Sequence, residues 1–177
     1  MMIISAAGSI YELPAALLFY DMELKICVFS DTHGRFEPML KAVRKEEPVL
    51  CFFLGDGERD LQVLQESFPK LLIYAVRGNC DLRSSLPLEL HCAVGGVEIF
   101  ATHGHLYSVK HDPKLNELRD ASGRARVVLY GHTHIARCEE LEDKLVLNPG
   151  SSGYGAHPGY GILQIEDGRV QARLCSL

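Results

Sequence analysis

The run Ile26-Cys27-Val28-Phe29 passes directly into Ser30-Asp31-Thr32-His33-Gly34. A short unbroken apolar run bounded by turn residues reads as a strand buried on both faces. It delivers a carboxylate and an imidazole, two residues apart, into the loop that follows. One Asp-x-His is a weak signal, but the arrangement recurs along the chain. Leu50-Cys51-Phe52-Phe53-Leu54 leads to Gly55-Asp56, and Leu72-Ile73-Tyr74-Ala75-Val76 leads to Arg77-Gly78-Asn79-Cys80-Asp81. Val97-Glu98-Ile99-Phe100-Ala101 leads to Thr102-His103-Gly104-His105, and Val127-Val128-Leu129-Tyr130 leads to Gly131-His132-Thr133-His134. Five apolar runs end on Asp, Asn or His, usually beside a glycine. The economical reading is that all five ends meet at one edge of a sheet and build one metal site.

The intervals between these runs are helical in the first half. Phe36, Met39, Leu40 and Val43 fall on one helix face, with Pro38 tolerated in the first turn and Pro48 ending the pattern. Leu61, Leu64 and Phe68 repeat the spacing before Pro69. Strand, helix, strand, helix, strand indicates an α/β domain with a partly parallel sheet. The second half changes character. Hairpins are expected for 88–94 with 97–102 across Gly95-Gly96, for 135–141 with 144–147, and for 160–165 with 170–174 across Asp167-Gly168. A short helix is expected over 113–122, and the Gly-rich stretch 148–161 is a loop. Two packed sheets with helices outside satisfy this order.

With 177 residues, 47% of them hydrophobic, the chain has material for one soluble domain with a substantial core. Its net charge of -5 argues against general nucleic-acid or membrane-surface binding, which needs a basic footprint. None of the six cysteines forms a Cys-x-x-Cys pair, and Cys27 and Cys51 lie inside strand-like runs, which reads as reduced thiols in a cytoplasmic protein. Residues 1–21 stand apart. Their apolar run, 13–20, is too short to span a membrane and has no basic leader. The segment is either an extension from an upstream start or a helix docked on the surface or on a partner, with the main domain taken as 22–177.

Asp31, His33, Asp56, Asn79, His103, His132 and His134 are too many ligands for one ion and suit two that share a bridge. Carboxylate, imidazole and amide oxygen favour ions such as Mn²⁺, Fe²⁺ or Zn²⁺. Two such ions together clamp the attacking and leaving oxygens in displacement at phosphorus. In order and spacing, Asp31-x-His33, Gly55-Asp56, Gly78-Asn79, His103-Gly104 and Gly131-His132-x-His134 resemble the calcineurin-like metallophosphoesterases. Asn148-Pro149-Gly150-Ser151 strengthens a resemblance to their small YfcE-like phosphodiesterase branch, which also contains a eukaryotic retromer subunit.

That resemblance implies a four-layer α/β/β/α sandwich of two mixed sheets flanked by helices. It implies that Asp31, His33 and His134 hold one divalent ion, that Asn79, His103 and His132 hold the other, and that Asp56 bridges them. Mn²⁺ is favoured, with Fe²⁺, Zn²⁺, Ni²⁺ or Co²⁺ as alternatives. The implied reaction is hydrolysis of a small phosphodiester by in-line attack of a hydroxide shared between the ions. Asp56, Asn79 and His105 are the candidate catalytic residues, and Asn79 and Arg35 the candidate substrate contacts. Cys80 stands where many larger relatives carry a histidine that assists the leaving group. Asp81 either orients a ligand or caps a turn. A phosphomonoesterase and a catalytically weak protein-binding scaffold are the alternatives, and a homo-oligomer is left open.

Overall fold

The computed structural model describes residues 2–4, 10–12, 23–155 and 157–177. The first described pieces, β1 (Met2–Ile4) and β2 (Ile10–Glu12), pair antiparallel. Of residues 1–21, expected to be either an extension or a docked helix, these described pieces are strand. The apolar run 13–20 and the boundary at residue 22 lie outside the described residues.

The remaining elements follow in order: β3 (Leu24–Phe29), α1 (Glu37–Glu46), β4 (Leu50–Phe53), α2 (Glu58–Ser67), β5 (Leu72–Ala75), β6 (Glu89–Val94), β7 (Val97–Thr102), α3 (Asn116–Ala121), β8 (Val127–Leu129), β9 (Arg137–Leu141), β10 (Lys144–Asn148), β11 (Gly159–Glu166) and β12 (Arg169–Ser176). They form two five-stranded mixed sheets, ordered β12-β11-β3-β4-β5 and β6-β7-β8-β10-β9. In the first, β3, β4 and β5 run parallel, with Ile26 opposite Leu50 and Leu50 opposite Leu72. In the second, β7, β8 and β10 run parallel.

Successive strand residues point to opposite faces, and here both faces are covered. Ile26, Val28, Phe52 and Leu54 pack between the sheets against Ile99, Ala101, Val127, Leu129, Leu145 and Leu147. Cys27, Phe29, Cys51 and Phe53 turn the other way, onto Met39 and Val43 of α1 and Leu61 and Leu64 of α2. Phe100, Val128 and Val146 meet Leu118 of α3 outside the second sheet, with Leu115 just ahead of that helix. The layers are α/β/β/α. Helix α3 begins at Asn116, later than its sequence pattern suggests. Leu115 adopts a left-handed φ of 53°, and the Asp112 carboxylate takes the N–H groups of Lys114 and Asn116, holding a turn there instead.

The five ligand-bearing strand ends therefore do not share one sheet edge. Those of β3, β4 and β5 come from one sheet and those of β7 and β8 from the other. They converge because both sheets present the C-terminal ends of parallel strands at the same end of the sandwich, where Gly131 N–H donates to the His103 carbonyl and Asp31 N–H to the Gly55 carbonyl.

Among the described residues, no helix is long and apolar enough to cross a membrane.

Candidate metal centre

Asp31, His33, Asp56, His132 and His134 all have positive φ, between 47° and 65°. Asp and His tolerate the left-handed region better than most residues, but each still costs about 1 kcal/mol or more and is held only where the surroundings over-determine it.

The surroundings do so through a shell of buried and half-buried polar groups. Asp60, in the first turn of α2, accepts from Thr32 Oγ1 at 2.5 Å and Gly34 N–H at 2.7 Å, and so fixes the loop that carries His33. Asp81 accepts four backbone N–H groups, from Asp56, Gly57, Glu58 and Gly78, at 2.8 to 3.0 Å. It is the turn cap, satisfied on both oxygens at the N-terminal end of α2. Asn148 donates to the Gly131 carbonyl at 2.8 Å and to Thr133 Oγ1 at 3.0 Å, bracing the His132–His134 loop. Ser151 Oγ donates to the Asp31 carbonyl at 2.6 Å. Gly131 is needed at its position, since a Cβ there would sit 2.0 Å from Ser30 Oγ.

Within this frame the donor atoms crowd together. Asp31 is fully buried; its Oδ2 accepts from Ser30 Oγ and the His132 N–H, while its Oδ1 has no hydrogen-bond partner among the described residues. That oxygen lies 3.1 Å from His134 Nε2, 3.8 Å from His33 Nε2 and 4.0 Å from His103 Nε2. His33 Nε2 and His134 Nε2 are 3.3 Å apart. Asp56 Oδ2 is 3.5 Å from His103 Nε2 and 4.0 Å from His33 Nε2. His103 Nδ1 bonds the Leu54 carbonyl at 2.7 Å, which makes that nitrogen the donor and leaves Nε2 facing the centre, with Asn79 Oδ1 3.1 Å away. A lone pair ringed by carboxylate and amide oxygens is unfavourable unless a proton or a cation sits among them. The orphaned Asp31 oxygen and the abutting imidazole nitrogens fit metal ions.

The charges respond accordingly. Burial works against ionised Asp56, but the His103 ring and the Cys80 N–H outweigh it and hold the carboxyl well below its ordinary range. Burial likewise opposes a charged His103, yet Asp56 and Asp31 raise its pKa above the usual imidazole value. Burial, followed by Lys110 and His103, pushes His132 down to about 4. Partial burial and the carboxylates of Asp56, Asp81 and Asp31 push the Cys80 thiol up to about 11.

Of the sequence candidates, Asp31, His33, Asp56, His103 and His134 form the tight cluster, and Asn79 joins it through His103. The His132 ring stands 5.1 Å from that of His103, centroid to centroid. His105 lies beside them, its ring 5.4 Å from His103 and its Nδ1 buried without a partner among the described residues. Arg35 is exposed, its guanidinium 5.2 Å over the Tyr154 ring. Asp60 and Ser30 were not among the sequence candidates, because a buried carboxylate inside a helix pattern and a serine at a strand end carry no spacing signal.

A model of the calcineurin-like phosphoesterase superfamily domain matches residues 24–168. The chain belongs to that superfamily. Its curated relatives include a probable metallophosphoesterase of Bacillus subtilis, 33% identical over 154 residues, covering 85% of this chain and 89% of the relative. A phosphodiesterase of Methanocaldococcus jannaschii is 43% identical over 162 residues, covering 81% and 94%. Among solved structures, a predicted phosphoesterase from Streptococcus pneumoniae superposes with a TM-score of 0.71 at 26% identity, over 88% of this chain and 90% of that one. The calcineurin-like sandwich also matches vacuolar protein sorting-associated protein 29 of Entamoeba histolytica, with a TM-score of 0.68 at 20% identity over 87% and 99% of the two chains, a likeness of fold. As a calcineurin-like phosphoesterase, the chain has a family basis for phosphoester hydrolysis and a candidate metal site to match.

Proposed function

We propose that the chain is a metal-dependent phosphodiesterase acting on a small diester, with two divalent ions, Mn²⁺ favoured, in the cluster. The observation that carries this reading is the fully buried Asp31 Oδ1, unpartnered and within 4.0 Å of three imidazole nitrogens. Asp31, His33 and His134 would hold one ion, Asn79, His103 and His132 the other, and Asp56 both. When bound, such ions supply an acidified water as nucleophile and draw charge from the phosphoryl oxygens.

The protein's own groups do the rest. Asp60, Asp81 and Asn148 keep the loops in register, so that little reorganisation is needed when substrate arrives. Asn79, exposed at the mouth, offers its amide to a phosphoryl oxygen. His105, its ring 5.4 Å from that of His103, steadies the departing oxygen through an N–H. Cys80, with its raised pKa, is no substitute for an acidic imidazolium. Arg35, its guanidinium over the Tyr154 ring, would meet the outer substituent of the diester.

Purified protein with Mn²⁺ is expected to hydrolyse bis-p-nitrophenyl phosphate faster than p-nitrophenyl phosphate, and Asp56→Asn to lose at least about 100-fold. The reverse rate order makes it a monoesterase, and unchanged turnover in the variant removes the bridging role. Cys80 at the histidine position favours a second reading, a binding scaffold, for which metal would bind without turnover of either ester.

A further inference from the structure

We propose that Cys80 is itself a ligand at this centre: its sulfur, the His33 imidazole and the Asp56 carboxylate share a cation, and the sulfur biases the site toward thiophilic ions. The inference rests on the metal-centre reading above and adds a donor of a different chemical kind. One ligand atom from each of His33, Asp56 and Cys80 lies within 4.8 Å of the other two.

The sulfur is not there by drift of a loose loop. The Cys80 N–H donates to Asp56 Oδ1 at 2.7 Å, tying the cysteine to the carboxylate with which it would share the ion. The next residue, Asp81, is pinned by four backbone N–H groups. Asn79 Nδ2 donates to Sγ at 3.3 Å, which orients the side chain and leaves sulfur lone pairs free. An independent sign that a cation belongs beside His33 is the unpartnered Asp31 Oδ1, 3.8 Å from His33 Nε2.

Thiolate is a soft ligand that favours zinc, cadmium and cobalt over manganese relative to an all-oxygen and imidazole set. On binding, the thiol proton leaves to solvent and a sulfur lone pair forms the bond to the metal. A role for Cys80 as a ligand also accounts for a thiol where a proton donor is otherwise expected.

Cobalt(II) is the probe, titrated into the full chain after chelator treatment and read by absorption. Wild type is expected to show both visible d–d bands and a near-ultraviolet sulfur-to-cobalt charge-transfer band. Cys80→Ser and Cys80→Ala should keep the visible bands and lose the near-ultraviolet one. In competition, the preference for Cd²⁺ over Mn²⁺ should fall at least about tenfold in Cys80→Ser. Visible bands without charge transfer in wild type, or a charge-transfer band that survives in Cys80→Ser, overturn the proposal. Absence of visible bands in every protein instead removes the metal-centre reading itself, and this inference with it.

Discussion

Oδ2 of Asp81 accepts the backbone N–H of Asp56 at 2.8 Å, so the residue after Cys80 holds the strand end that carries the central carboxylate. The same carboxylate takes the N–H groups of Gly57, Glu58 and Gly78, joining the ends of β4 and β5 to the start of α2. Asp81→Ala leaves these donors without their charged acceptor and is expected to lower unfolding free energy by about 2–4 kcal/mol. Asp81→Asn should lose less, because one oxygen still accepts. Urea unfolding of the chelated protein measures both; a loss below about 0.5 kcal/mol for the alanine variant would show that this shell is not structural.

Divalent ions should stabilise the fold. At a concentration 100 times the dissociation constant, Mn²⁺ is expected to add about 2.7 kcal/mol, reversed by chelator. Asp31→Asn separates the two states. Without metal it should lose little stability, because an amide N–H in place of the orphaned Oδ1 can donate to His134 Nε2, 3.1 Å from that oxygen, which offsets the lost attraction to His103. With metal it should gain little. Thermal melts of both proteins, with and without Mn²⁺, supply the comparison, and an equal metal-induced gain in the two would contradict the role given to Asp31.

The layers and the gathering of Asp, Asn and His side chains at one end of the sandwich were legible because both rest on periodicity and repetition. Fully apolar strands such as Ile26–Phe29 and Leu50–Phe53 announce burial on two faces, and each ends on a ligand-type residue. What could not be read was which sheet each end belongs to, since the crossover from β5 to the second sheet leaves no local pattern. The supporting shell was hidden for a related reason. Asp60 reaches Thr32 across 28 positions and Ser151 reaches Asp31 across 120, contacts created only by tertiary packing. Asp81 carried both of its readings until the four N–H groups around it decided for the turn cap. The start of α3 was misplaced because nothing in Pro113-Lys114-Leu115 marks the left-handed turn that Leu115 makes.

The metal-free protein should lose stability as pH rises above neutrality. Burial disfavours a charged His103, but Asp56 and Asp31 prevail and raise its pKa above 6.5 in the folded state. A group with a raised folded pKa contributes fully below the unfolded value, and the contribution is lost as pH climbs through the folded one. Asp56 has the opposite sign: its folded pKa is depressed, so its contribution is present above the ordinary carboxylate value and fades in acid. Urea midpoints of chelated protein between pH 6 and 9 should fall, and His103→Gln should flatten that slope. A slope unchanged in the variant would assign the effect elsewhere.

Two glycine substitutions should separate space from backbone conformation. A Cβ on Gly78 would lie 2.0 Å from Asp56 Oδ1 and 2.6 Å from Asp56 N, and the Asp56 N–H is already held by Asp81. Neither neighbour can give way without moving a candidate ligand. Gly78→Ala should therefore cost about 2–4 kcal/mol and weaken Mn²⁺ binding by at least about tenfold. Gly96, at the tip of the β6–β7 hairpin, has φ of +76° and, among the described residues, nothing within 4 Å of an added Cβ. Gly96→Ala meets only the left-handed penalty, about 1 kcal/mol, and should leave Mn²⁺ affinity unchanged. Equilibrium unfolding gives the stability terms and isothermal titration with Mn²⁺ gives the affinities. Equal losses of affinity in the two variants would mean that global softening, rather than displacement of Asp56, controls the centre.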